Sequence, residues 1–91
     1  MARKSKATIE QWVRTAIREQ LESEGDRAVP EGIETVYEYN AGDFDIVRAR
    51  IPDRTLDGDA RYAHPVGDRT IRFSVLETVD SDEYRLRVRI E

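Results

Sequence analysis

Three patterns in this 91-residue chain predict an α+β domain in which one N-terminal amphipathic helix packs on a four-stranded antiparallel sheet made of two hairpins. Residues 8 to 21 repeat apolar side chains at intervals of three and four. Residues 69 to 90 alternate apolar and polar side chains on either side of a short acidic break, and residues 33 to 51 do so less regularly. A helix of this kind exposes one apolar stripe and a two-hairpin sheet one apolar face, so each covers the other.

Taken in order, residues 1 to 7 read as a flexible basic arm carrying Arg3, Lys4 and Lys6, with nothing apolar to anchor it, and residues 8 to 91 as a single α+β domain. Thr8 has the character of an N-cap, with Gln11 at the third helical position completing a capping box. Ile9, Trp12, Val13, Ala16, Ile17 and Leu21 form the stripe. Glu10–Arg14 and Arg18–Glu22 are i,i+4 pairs on the wet side, and Gly25 is the natural residue to end the helix. The segment from Thr8 to Leu21 resembles the second helix of ribbon-helix-helix repressors. That family places a β-ribbon and a first helix ahead of it, which the seven residues before Thr8 do not hold, and its DNA-binding function is not carried over.

Pro30 and Gly32 mark residues 26 to 32 as a connection. The first hairpin follows, with strands Ile33–Tyr39 and Phe44–Ile51, and two registers are open. A four-residue loop opposes Tyr39 to Phe44 and groups Ile33, Tyr37, Tyr39, Phe44 and Ile46 on one face. A three-residue loop with Gly42 in a left-handed bulge puts Val47, Ala49 and Ile51 behind the tyrosines. Residues 52 to 68 show no period and hold two prolines, two glycines, four aspartates and the single histidine, so they read as one long loop. In the last hairpin a turn at Asp80 to Glu83 opposes Val79 to Tyr84, Val75 to Val88 and Phe73 to Ile90. One face is then apolar, and Thr70, Arg72, Ser74, Leu76, Thr78, Arg85, Arg87 and Arg89 lie on the other.

Nineteen acids against fifteen bases give a net charge of −4, and the bases are 13 arginines and 2 lysines. An acidic, arginine-using surface fits a high-GC genome, and equally a halophile's salty cytoplasm or ordinary codon bias. With no cysteine there is neither a disulfide nor thiolate chemistry, as expected in a reducing compartment. No apolar run of signal-peptide or membrane-span length follows the basic start, so a cytoplasmic protein without a membrane partner is expected.

Enzymatic signatures are missing. No nucleophile elbow, P-loop or glycine-rich phosphate cradle is present, and His64 has only Asp57, Asp59 and Tyr62 as sequence neighbours for acid–base work. Asp53 to Asp59 opens like a calcium loop, but its twelfth position is His64 rather than a bidentate carboxylate. The expectation is a non-enzyme with no catalytic residue, cofactor or metal. It would bind a second copy of itself or another protein through the uncovered sheet face, with Val36, Leu76 and Arg87 in the contact. The alternative is an electrostatic nucleic-acid binder using Arg3, Lys4, Lys6, Arg72, Arg85, Arg87 and Arg89. An acidic pI of about 5.1 and the lack of aromatic residues on the expected outer face count against it.

Overall fold

The computed structural model describes residues 5–25 and 28–91. Helix α1 spans Lys6–Ser23 and begins a turn earlier than the sequence suggested. Ser5 is its N-cap, with Oγ accepting the Thr8 N–H at 3.1 Å, so Thr8 lies inside the helix and Lys6 belongs to its first turn rather than to an arm. The same cap chemistry was available at two positions three apart, and capping at Ser5 lets the helix begin three residues earlier. At the other end Gly25 takes a left-handed φ of 77° and its N–H returns to the Glu22 carbonyl at 3.1 Å. The expected stripe holds: Val13, Ala16, Ile17 and Leu21 are completely buried.

Strands β1 (Glu34–Asn40) and β2 (Asp45–Arg50) make the first hairpin. Its loop is Ala41 to Phe44, closed by the Ala41 N–H on the Phe44 carbonyl at 2.9 Å and opened by Gly42 at φ 91°. A bulge between Tyr37 and Tyr39 then shifts the pairing, so Tyr37 faces Val47 and Thr35 faces Ala49. Beyond the bulge Val47, Ala49 and Ile51 lie behind Tyr37, as in the second register. Tyr39 pairs with Ile46 on the outer side, and the single five-residue apolar group of the first register is not formed.

The sheet has five strands, not four. Strand β3 (Arg61–Val66) lies inside the segment read as a loop, and the order across the sheet is β1-β2-β5-β4-β3, with β4 Arg69–Asp80 and β5 Glu83–Ile90. Gly67-Asp68 is a two-residue turn with Gly67 at φ 64°, the left-handed conformation that such hairpin turns require. The β4–β5 turn is likewise the pair Ser81-Asp82, because Asp80 faces Glu83. Two bulges, after Val75 and after Thr78, then move the register by two residues, so Phe73 faces Val88 and Val75 faces Leu86. A total shift of two keeps Phe73, Val75, Leu86 and Val88 on the expected face, since the side-chain period of a strand is two. Between the bulges Glu77 turns to the outer side opposite Arg85 and Thr78 to the side of Tyr84, the reverse of the expectation. The predicted apolar face therefore survives a register that was not predicted.

Helix α1 crosses the inner face diagonally, from β1 at its N-terminal half to β3 at its C-terminal half. Glu10 Oε2 accepts the Tyr37 N–H at 2.8 Å, and Thr35 Oγ1 donates to the Glu10 carbonyl at 2.8 Å while accepting from Arg14 Nη1 at 3.0 Å. Glu10 and Arg14 thus fasten the helix to the β1 edge instead of pairing along its wet side. At the far end His64 on β3 is hydrogen-bonded to Gln20 at 2.7 Å. Between these clasps Val13, Ile17 and Leu21 meet Val47, Phe73 and Leu86, with Tyr62 stacked on Phe73 at 4.9 Å and Leu56 of the β2–β3 connection closing the end. The Leu56 N–H donates to the buried Tyr84 hydroxyl at 3.2 Å.

Candidate functional site

The helix covers one face of the sheet, and pairing register lays the opposite face out in rows. One row runs Val36, Arg48, Arg85, Glu77 across β1, β2, β5 and β4. The next runs Tyr39, Ile46, Arg87, Ser74, Arg61 across all five strands, and a third holds Arg89, Arg72 and Ala63. Successive strands stand about 4.8 Å apart, so these rows place side chains of one charge within reach of a single ligand.

The arginines fall into two groups. In the upper rows each has a carboxylate. Glu38 accepts from Arg85 Nε at 2.6 Å and lies 3.3 Å from Arg48 Nε; Glu83 pairs with Arg48 Nη1 at 3.2 Å, Glu77 with Arg85, and Asp82 with Arg50 at 3.2 Å. The hydrogen bonds that Arg85 donates to Glu38 and Arg50 donates to Asp82 raise both guanidinium pKa values. In the lower rows Arg72 is paired with Glu91 at 2.8 Å, and that hydrogen bond holds the Glu91 carboxyl below its usual value. Among the described residues Arg61, Arg87 and Arg89 make no ion pair. Arg87 instead places its guanidinium over the Phe44 ring, 5.0 Å from the centroid. Around them is a cleft of about 410 Å³ lined by Arg61, Arg72, Arg87, Arg89, Phe44 and Asp43.

Of the residues expected in a nucleic-acid contact, Arg72, Arg87 and Arg89 come together in this cleft, whereas Arg85 is committed to Glu38 and Glu77. Lys6 lies on the helix side with its ammonium 5.9 Å over the Tyr37 ring, and Arg3 and Lys4 fall outside the described residues. Val36, on the outer face, and Leu76, in the bulge after Val75, are exposed at 56% and 39%, but β2 and β5 separate their strands by about 14 Å and Arg48 and Arg85 fill the interval. Sequence reasoning missed Arg61, because β3 was read as loop, and missed Tyr39 and Phe44 as outer-face aromatics, because the β1 bulge was not anticipated. The Gly67-Asp68 pair between Tyr62, His64, Val66 and Arg69, Ile71, Phe73 was the available hairpin signal.

His64 points toward the helix with Gln20 and, at 3.9 Å, Glu19 as neighbours; Asp57, Asp59 and Tyr62 are not among its partners. The Tyr62 hydroxyl is occupied by the Asp57 N–H at 3.0 Å, and burial raises its pKa. The Asp57 carboxylate accepts the Asp59 N–H at 2.8 Å, which is turn chemistry. Among the described residues no cluster of three His, Asp or Glu side chains is placed to hold a metal ion, and no helix is long and apolar enough to cross a membrane. Both sheet edges are blunted. The Tyr37 N–H on β1 is taken by Glu10, and Pro65 on β3 has no N–H to offer at an outward-facing position. In comparison with known proteins, no family model, no curated protein and no solved structure matches the chain.

Proposed function

We propose that this chain is a non-enzymatic nucleic-acid-binding protein of the cytoplasm, and that its contact surface is the lower half of the outer sheet face. The observation that carries the reading is the division of charge. Arg48, Arg50 and Arg85 are neutralised by neighbouring carboxylates, while Arg61, Arg87 and Arg89 converge beside Arg72 and Phe44 with no ion pair among the described residues. An ion-paired arginine has little to gain from a phosphate, whereas an unpaired guanidinium gains a charge-assisted and often bidentate contact. The net charge of −4 disfavours long-range attraction, so affinity rests on this local patch. Neutralising three or four phosphates on a single strand corresponds to a log–log salt slope of about −2 to −3. Anisotropy of a labelled oligonucleotide measured at rising salt tests it: Arg61→Gln, Arg87→Gln and Arg89→Gln together should flatten the slope toward zero. Failure to bind DNA or RNA at low salt refutes the proposal.

A second reading is self-association through the same face. Its support is the exposure of Val36 and Tyr39 on that face, at 56% and 52%, and of Leu76 and Val79 in the two β4 bulges, at 39% and 41%. With both edges blunted, apolar burial around Val36 and Leu76, oriented by Arg87, would supply the contact. Sedimentation of the wild type should then give a dimer that Leu76→Glu converts to a stable monomer. A wild type that is monomeric across a wide concentration range removes this reading.

A further inference from the structure

Resting on the nucleic-acid reading, we infer that the cleft between the β1–β2 loop and strands β3 to β5 is a site for one unpaired nucleotide, so the chain prefers single strands to duplex. Its chemistry is mixed in a way that fits a nucleotide better than a bare anion. Arg61 and Arg89 supply guanidinium groups for a phosphate, and Arg72, held by Glu91, flanks them. Phe44 and the Arg87 guanidinium over it supply a stacking platform, since bases stack on both aromatic rings and guanidinium planes. Asp43 is the single carboxylate of the lining. A carboxylate beside four arginines would weaken a site for inorganic phosphate, but it accepts hydrogen bonds from the amino or imino edge of a base.

The shape agrees. About 410 Å³ is the size of a small-ligand pocket, and a concave recess admits a base turned away from its neighbours, which a stacked and paired duplex does not present. Tyr39, 52% exposed, shares the row of Arg87 with Ile46 between them, and extends the platform for an adjacent base. Phe44 also borders a second, larger groove of about 980 Å³ beside the start of α1, where Lys6, Tyr37 and Asn40 are lining residues. Glu38, Asp43 and Asp45 line the same groove, so the cationic surface ends at the cleft.

The test compares a labelled single-stranded oligonucleotide with its duplex, in the wild type, Phe44→Leu and Arg61→Gln. Thermal melts establish that each variant folds. The single strand is expected to bind at least about tenfold more tightly than the duplex. Loss of one stacked base predicts a weakening of about five- to 150-fold in Phe44→Leu with the salt slope unchanged, while Arg61→Gln lowers the slope by about one. Independently of any variant, adenosine or guanosine monophosphate should shift the backbone amide resonances of Gly42 to Phe44 and of Arg87 at concentrations where inorganic phosphate does not. Equal binding of duplex and single strand, with Phe44→Leu at wild-type affinity, overturns the nucleotide site and leaves the electrostatic reading intact. Absence of binding by either form at low salt overturns both. Equal shifts from phosphate and nucleotide reduce the cleft to a simple anion site, and a doubled mass unaffected by oligonucleotide assigns the face to a second copy of the chain.

Discussion

Thr35→Val probes the clasp between α1 and the β1 edge with almost no change in volume or strand propensity. Thr35 is 6% exposed, and its hydroxyl donates to the Glu10 carbonyl and accepts from Arg14 Nη1. A neutral hydrogen bond is worth about 0.5–1.5 kcal/mol and one to a charged group about 1.5–3 kcal/mol, so their joint loss lies between about 2 and 4.5 kcal/mol. Burying a methyl in place of the hydroxyl returns about 0.8 kcal/mol, and the partly exposed Arg14 regains water. The net expectation is a loss of about 1–3 kcal/mol. For a domain of this length that is a fall in Tm of about 5–20 °C, read by circular dichroism and matched against urea midpoints. Thr35→Ser keeps the hydroxyl and should retain most of the stability. Amide exchange at Tyr37, whose N–H is held by Glu10, should quicken in the valine variant more than exchange in β4 or β5. A valine variant within about 0.5 kcal/mol of wild type would show that the two bonds add nothing beyond what water supplies, and would refute the reasoning.

Three further outcomes follow from the charges. Arg54 is only 8% exposed, pairs with Glu24 at 2.6 Å and leaves its Nη1 without a hydrogen-bond partner. Arg54→Met should therefore stay within about 1 kcal/mol of wild type, and Glu24→Ala, which strands the guanidinium, should cost more; the reverse order of urea midpoints would contradict this. The depressed Glu91 carboxyl gives stability that is present above its unfolded pKa and lost as pH falls through the folded one, because the ionised form is the one Arg72 holds. Arg72→Gln should raise the Glu91 titration midpoint toward the ordinary carboxylate value by NMR, and an unmoved midpoint would show that the pair does not cause the shift. Finally, nineteen acids against fifteen bases predict a melting temperature that rises from low to molar salt as self-repulsion is screened, whereas a flat or falling trend would mean that weakened ion pairs outweigh it.

How much was legible varied with the strength of the local pattern. The helix stripe and most of the β4–β5 faces were correct because Ile9 to Leu21 and Phe73 to Ile90 bury on one side only, and burial fixes which side; Glu77 and Thr78, between the two bulges, are exchanged. The start of α1 was misplaced because Ser5 and Thr8 are both good caps. β3 was missed because it is an edge strand of mixed composition, where Tyr62, His64 and Val66 face inward but are only partly buried, so its alternation is weak. The arginine row was visible on β5, but its fourth member in the cleft, Arg61, came from the missed strand, and the aromatic beside it from a bulged hairpin.

From the order of its residues alone, this chain settles which side chains avoid water and hence that a helix must lie on an antiparallel sheet. That information is local, carried by periods of 3.6 and 2 within single elements. Lateral neighbours are another matter: bulges, strand order and the placement of Glu38, Glu77, Glu83 and Asp82 are set by packing between elements distant in sequence. Only the folded arrangement separates the arginines that carboxylates already hold from those that stand open beside Phe44, because an ion pair forms across strands, at a distance no periodicity encodes.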